Sequence, residues 1–539
     1  MLSVWPIILQ IKIEIMTKIW NILLPVAVIV AFFACTERNT PVDNTGTDTE
    51  DKDKTGETDT IDDKVEEQNW SDTIRVVWNG AAATVTGTND SLSITNSNGY
   101  VAINSSVTGT QIVYLLSGNG QGQLSIYGSY RHNITLDGLT LTCSDGPAIN
   151  NQCHKKCYLV INGTNLLTDG SSYATTTEDR KATLFSEGQI IVSGGGSLTI
   201  KGNYKHAIAS DDYIHLTDGL TGTLNLTASS DGLHANDGIY INGGTTTIQA
   251  GNDGVQCDSI IAISGGALDI TATDKGIVDS LGIKISGGTI VVSSQYKCIK
   301  TKADLVISGG DIKVICTGTS SGGGGGGWGG GWGDSSSSSP EGIEAKGKIT
   351  ISGGTVYSQS ADDAINSGGD LVISGGKVCA YSTGNDGIDA NGDCYIKGGL
   401  VYAMGARSPE VAIDANSEDR KQLYIQGGTI VAVGSLENGA SLTQACYQAS
   451  GSANTWYALV VGEETFAFKT TASNASTLVV SGASKPTLYK SVTASGTDIF
   501  NGMGYFPATY SSGSSVSLSS YTASGGGPGG GGGGRPGGW

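Results

Sequence analysis

A Gly-Gly pair recurs along the middle of this chain at a nearly constant interval, and that interval restricts the possible folds more than any other feature. Gly243-Gly244, Gly265-Gly266, Gly287-Gly288 and Gly309-Gly310 follow one another every 22 residues. After an inserted segment the series resumes at Gly353-Gly354, Gly375-Gly376 and Gly398-Gly399, and, behind a longer loop, at Gly427-Gly428. Within one unit, residues 253–274, apolar side chains alternate in short stretches such as Ile261-Ala262-Ile263 and Leu268-Asp269-Ile270. Period two means strands, and each Gly-Gly supplies a turn that a residue with a Cβ would strain. Strands this short cannot bury a face alone. Stacked units can, with Val255 over Ile277, Ile299, Ile343, Ile365 and Ile388 as an interior column. A constant period near twenty is the signature of a parallel solenoid. The expected fold is all-β, a right-handed parallel β-helix. Propeller blades need about 40–50 residues, twice this period, and are rejected.

The flanks divide the rest of the chain. Met16-Thr17-Lys18 is the expected start of a leader within 1–35, and its apolar stretch 19–34 ends at Phe33-Ala34-Cys35. That stretch is short for a membrane span and has the flanks of a signal peptide. A small residue before a cysteine resembles a bacterial lipobox, which makes Cys35 the lipidated first residue and the lipid the membrane anchor. Residues 36–69 are Thr, Asp, Glu and Lys with little to bury, and are expected to be a disordered stalk. The β-helix is placed at 70–435, with fainter rungs at 147–150, 184–200 and 206–209 and a capping β segment over 70–130. A Gly/Trp/Ser insertion at 322–339 reads as a loop, with sugar stacking by Trp328 and Trp332 as its functional alternative. Residues 436–523 read as a C-terminal β extension and 524–539 as a Gly-rich tail.

The net charge of -19, with only 15% charged residues, leaves no basic patch to meet phosphates and argues against nucleic acid. Ten cysteines lack paired zinc spacing. The one tight group, Cys153 and Cys157 around His154, reads as a loop pair or free thiols. The expected product is a monomeric lipoprotein of the bacterial cell envelope, at the outer membrane or cell surface.

Stacking in register makes columns. One runs Asp231, Asp253, Lys275, Lys297, Glu341, Asp363, Asp386; a second runs His234, Gln256, Val278, Lys300, Glu344, Asn366, Asp389, Asp414; a third includes Asn236, Asp258, Lys302, Asn391 and Asn416. All three are expected on the outside. Rungs about 4.8 Å apart place carboxylates close enough to repel or to share a hard cation, which takes six to eight oxygens at about 2.3–2.6 Å. The leading calcium group is Asp362, Asp363, Asp386, Asp389, Asn391, Asp414 and Asn416, and the second is Asp231, Asp237, Asp253 and Asp258. Against this stands an ordinary turn role, since Asp-Gly and Asn-Gly are common turn formers and Asx side chains bond their own backbone. Lys275, Lys300 and Lys302 can face a uronate carboxylate on a bound chain, with His234 beside Asp231 as a weaker contact. The competing reading pairs Lys297 with Glu341 and Lys300 with Glu344 as exposed salt bridges of small worth. No His-Glu-x-x-His or phosphate loop is present.

Asp231-Gly-Leu-His-Ala, Asp253-Gly-Val-Gln, Asp386-Gly-Ile-Asp-Ala-Asn-Gly and the repeated Ile-Ser-Gly-Gly resemble the bacterial β-helical carbohydrate-binding domain family over about residues 75–520. The resemblance implies binding of polygalacturonate (pectin) or cellulose, with calcium held by the stacked Asp and Asn positions named above. Lys275, Lys297 and Val411 depart from it, standing where an acidic residue is expected. Two other functions remain open. One is a polysaccharide lyase with Lys275 or Lys300 as base, since β-helices also host pectate lyases, although fold analogy is weak warrant for catalysis. The other is a structural adhesin whose rungs are only scaffold.

Overall fold

The structure is a computed structural model that describes residues 63–319, 339–471 and 475–523. The leader with Cys35, the stalk before residue 63, the insertion at 322–338 and the tail 524–539 lie outside the described residues. Among the described residues there is no α-helix, and the chain forms a right-handed parallel β-helix of three strands per coil.

The first strand of each coil lies at the Asp-Gly step of residues 231, 253 and 386 or at its equivalents Lys275-Gly276, Lys297-Cys298, Glu341-Gly342 and Asp363-Ala364, as in Leu233–Ala235, Val255–Cys257, Lys275–Asp279, Lys297–Thr301, Glu341–Ala345, Ile365–Ser367 and Ile388–Ala390. These pair in parallel with Leu233 on Val255, Val255 on Ile277, Ile277 on Ile299, Ile299 on Ile343, Ile343 on Ile365 and Ile365 on Ile388. The expected interior column is therefore real, and every member is fully buried. Each such side chain contributes about 1.5–3 kcal/mol by leaving water. A second ladder runs through Gly238–Ile241 and Ile260–Ile263, and a third, behind the Gly-Gly turn, through Thr245–Ala250 and Ala267–Ala272.

The turn glycines are needed for two different reasons. Gly266 has φ +73°, while a Cβ on Gly265 would stand 2.2 Å from the Asn242 carbonyl oxygen of the coil below. The Asp-Gly glycines are needed for space alone: on Gly254 a Cβ would lie 2.3 Å from Ile270 Cγ2, inside the core.

At the N-terminal end, Trp70–Gly80 already pairs in parallel with Gln111–Gln121, and antiparallel hairpins cover this first coil. The stalk expectation fails over its last residues. Asp63 is buried, ion-paired to Lys156 at 3.1 Å and bonded to Tyr213 and His215, because a buried ammonium offers it a partner that composition does not reveal. At the other end the coil runs slightly past 435, with Leu436 bridging Ile413 and Ser441–Leu442 beside Tyr424 and Ile425. Thr477–Ser481 then pairs antiparallel with Thr429–Val433, which stops the parallel propagation. A six-stranded sheet between 456 and 516 completes the extension, packed through Tyr402, Phe466, Phe468 and Phe500. All nine described cysteines are buried free thiols, Cys153 and Cys157 included.

Candidate functional site

The two columns that flank the first strand carry most of the buried charge among the described residues. The register places Asp231, Asp253, Lys275, Lys297, Glu341, Asp363 and Asp386 in line, followed by Val411, with His234, Gln256, Val278, Lys300, Glu344, Asn366, Asp389 and Asp414 three residues on. The first column is not on the outside as expected. Asp231, Asp253, Asp363 and Asp386 are only 3–8% exposed. Their carboxylates point along the solenoid axis instead of bonding their own turns. Asp231 Oδ1 accepts the Asp253 N–H (3.1 Å), Asp253 Oδ1 that of Lys275 (2.9 Å), Asp363 Oδ1 that of Asp386 (3.0 Å) and Asp386 Oδ1 that of Val411 (2.5 Å). One oxygen of each thus ties a coil to the next, and charge-assisted bonds of this kind are stronger than neutral ones.

The columns divide into three zones. At the N-terminal side, Asp231 meets His234 and also His206, one coil earlier, which was not among the expected site residues. In the middle, cations balance anions. Lys275 pairs with Asp274 and Asp253, and Lys297 pairs with Glu341 (2.8 Å) and Glu344 (3.2 Å), while Lys300 and Lys346 also reach Glu344. These pairs are not exposed surface bridges: Lys297 is 4% and Glu344 2% exposed. Burial disfavours the Lys275 charge, but the bond to Asp274 and the charge of Asp253 outweigh it and hold the ammonium above its ordinary value. A lysine so held is a poor proton acceptor, and the lyase base gains no support from it.

Beyond Asn366 the balance ends. Burial first, then the charges of Asp389, Asp362 and Asp386, push Asp363 up to about 9. Asp386 rises to about 7 and Asp389 to about 6, each chiefly through burial. Asp414 rises to about 9 through burial and its bond to Glu437, which extends the second column by one more coil. Ligand oxygens of Asp386, Asp389 and Asp414 all lie within 4.8 Å of one another. Opposite ligands on a calcium ion stand up to about 5 Å apart, so this all-oxygen set fits a hard cation.

The other expected residues are placed elsewhere. Asn391 donates to the Ser367 carbonyl, and Asn416 caps the turn at Ser417–Asp419. Asp362 accepts from Asn385 at the edge of the group. Asp237 and Asp258 are exposed at the far end of the strand from Asp231 and Asp253, so the second expected calcium group is split in two. Lys302, in the third column, is exposed there as well, away from the first two columns. Column three lies five residues along the chain from column one, as Asp258 does from Asp253, roughly 16 Å when extended, and no single ion spans that.

The sequence model of the carbohydrate-binding domain-containing protein family matches residues 97–387, more than half of the 539 residues. The chain belongs to that family. The matched segment ends at the Asp386-Gly387 step, so it takes in the balanced coils, while Asp389, Asp414 and Glu437 lie just beyond it. Among solved structures, the chain is similar to the polysaccharide lyase-like protein from C. thermocellum (gadolinium derivative), with 23% identity over 46% of this chain and 95% of that one, at a TM-score of 0.32. No curated protein matches it. As a member of this carbohydrate-binding family, the protein presents one long charged seam whose character changes along the axis from His/Asp to Lys/Glu to carboxylate alone.

Proposed function

We propose that this is a non-catalytic polysaccharide-binding lipoprotein of the bacterial cell surface, anchored through Cys35, that binds acidic plant polysaccharide such as polygalacturonate with calcium at Asp386, Asp389 and Asp414. The observation that carries the reading is the absence of balance in that zone. The charges acting most strongly on Asp363, Asp386 and Asp414 are other carboxylates, and their values are raised accordingly. A divalent cation relieves that repulsion, and when bound it supplies a positive centre for a uronate carboxylate. The protein's own part is to hold two carboxylates on one coil, Asp386 and Asp389, and a third, Asp414, on the next, in the register set by Ile388 on Ile413. The Lys297 network, already satisfied internally, serves as a rigid block beside them.

The test is retention of the protein on immobilised polygalacturonate and on cellulose, with calcium and with chelator. Calcium-dependent retention on polygalacturonate, lost in an Asp389→Asn/Asp414→Asn variant, is expected. Retention on cellulose alone, indifferent to chelator, refutes the calcium part, and no retention on any glycan leaves the adhesin reading. Growth of the ultraviolet absorbance of unsaturated uronide during incubation refutes the non-catalytic part.

A further inference from the structure

We infer that His206, Asp231 and His234 form a site for a first-row transition-metal ion of the zinc type, distinct from the all-oxygen group around Asp386. His206 and Asp231 take the same column position on neighbouring coils, since Ile208 pairs with Leu233, and His234 follows Asp231 on its own coil. Asp231 Oδ2 lies 3.1 Å from His206 Nδ1 and 3.0 Å from His234 Nδ1. The two imidazoles stack with centroids 4.1 Å apart and planes 25° apart, which brings both Nδ1 atoms to one side of the carboxylate. Ligand atoms around a tetrahedral ion with bonds of about 2.0–2.1 Å stand about 3.3 Å apart, close to these spacings.

Two further features suit an ion. The Asp231 carboxylate is held from behind, since Oδ1 accepts from Ser230 Oγ (3.2 Å), Asn252 Nδ2 (2.9 Å) and the Asp253 N–H (3.1 Å). Such outer contacts orient metal ligands. His206 Nδ1 also lies 3.3 Å from the Asp231 backbone nitrogen, which places it beside both the carboxylate and the backbone of Asp231. Two imidazole nitrogens select zinc, copper, nickel or cobalt over calcium, which takes oxygen. The His234 side chain is 18% exposed, and that side can admit a water or a ligand oxygen as the remaining donor.

The test uses the full chain, stripped with chelator and then dialysed against Zn²⁺ in excess Ca²⁺. One equivalent of zinc is expected, together with a zinc-dependent rise in the thermal midpoint. His234→Gln, at the least buried of the three positions, should weaken zinc about tenfold or more, whereas Asp389→Asn/Asp414→Asn should leave it unchanged. Co²⁺ in place of zinc should give the visible bands of a nitrogen and oxygen site without thiolate charge transfer. Zinc uptake that is absent in excess calcium, or unchanged in His234→Gln, overturns the inference, as does a thiolate band, which would move the metal to the buried cysteines. The thermal shift of the unmutated chain decides the matter even if His234→Gln does not fold.

Discussion

Replacing Asp386 with asparagine removes one charge from the unbalanced carboxylates while keeping an acceptor for the Val411 N–H, 2.5 Å from Oδ1. Burial, opposed by that N–H and reinforced by Glu410, Asp389 and Glu437, lifts Asp386 from 3.8 to about 7. At about 1.4 kcal/mol per pH unit, the whole rise is worth about 4 kcal/mol. The raised value means that the folded state binds the proton more tightly than the unfolded chain. Its contribution is therefore complete below about pH 4 and is lost as pH climbs through about 7. Without calcium, the unmutated protein should lose about 2–3 kcal/mol from this group between pH 5 and pH 8, and Asp386→Asn should not. With calcium the gap narrows, because an ion at a hundred times its dissociation constant adds about 2.7 kcal/mol to the protein that binds it. Urea unfolding of both proteins at pH 5 and pH 8, in chelator and in calcium, reads all of these terms. The reasoning is wrong if Asp386→Asn is the less stable protein at pH 8 in chelator, or if it gains as much from calcium as the unmutated chain.

Three other perturbations probe the scaffold. Lys297→Met leaves the buried Glu341 without its cation and Glu344 with only Lys300 and Lys346, and should cost about 3–5 kcal/mol in urea unfolding; adding Glu341→Gln should recover much of the loss. Gly266→Ala forces a side chain onto φ +73° with its Cβ 2.6 Å from the Gly243 carbonyl oxygen, and a loss of more than about 1 kcal/mol is expected from the same measurement. Asp63→Ala strips Lys156 of its buried partner; limited proteolysis should then cut before Trp70, at sites the unmutated chain protects.

The spacing of the Gly-Gly pairs and the alternation around Ile261 and Ile270 were enough to set coil length, strand direction and the interior column. All three follow from one-dimensional periodicity, which stacking converts directly into position. The same arithmetic put Asp363, Asp386 and Asp389 on adjacent coils. It missed His206 and Glu437, which lie one coil beyond either end of the columns traced from Asp231 to Asp414, where Ile208 pairs with Leu233 and Ile413 with Leu436.

Which side chains meet, and how far they sit from water, was settled only by the folded coils. Column membership says that Lys297 and Glu341 are neighbours, but not that both are buried, since burial depends on how the corner of each coil closes over them. An Asp before Gly looks like a turn former in the sequence; in the stack its carboxylate takes the N–H of the coil above, a partner about 22 residues away along the chain. Composition likewise gave residues 63–69 nothing to bury, yet Asp63 docks because Lys156 is already there. A periodic pattern fixes which positions align, and the packing between columns, which no single repeat contains, fixes the chemistry they can share.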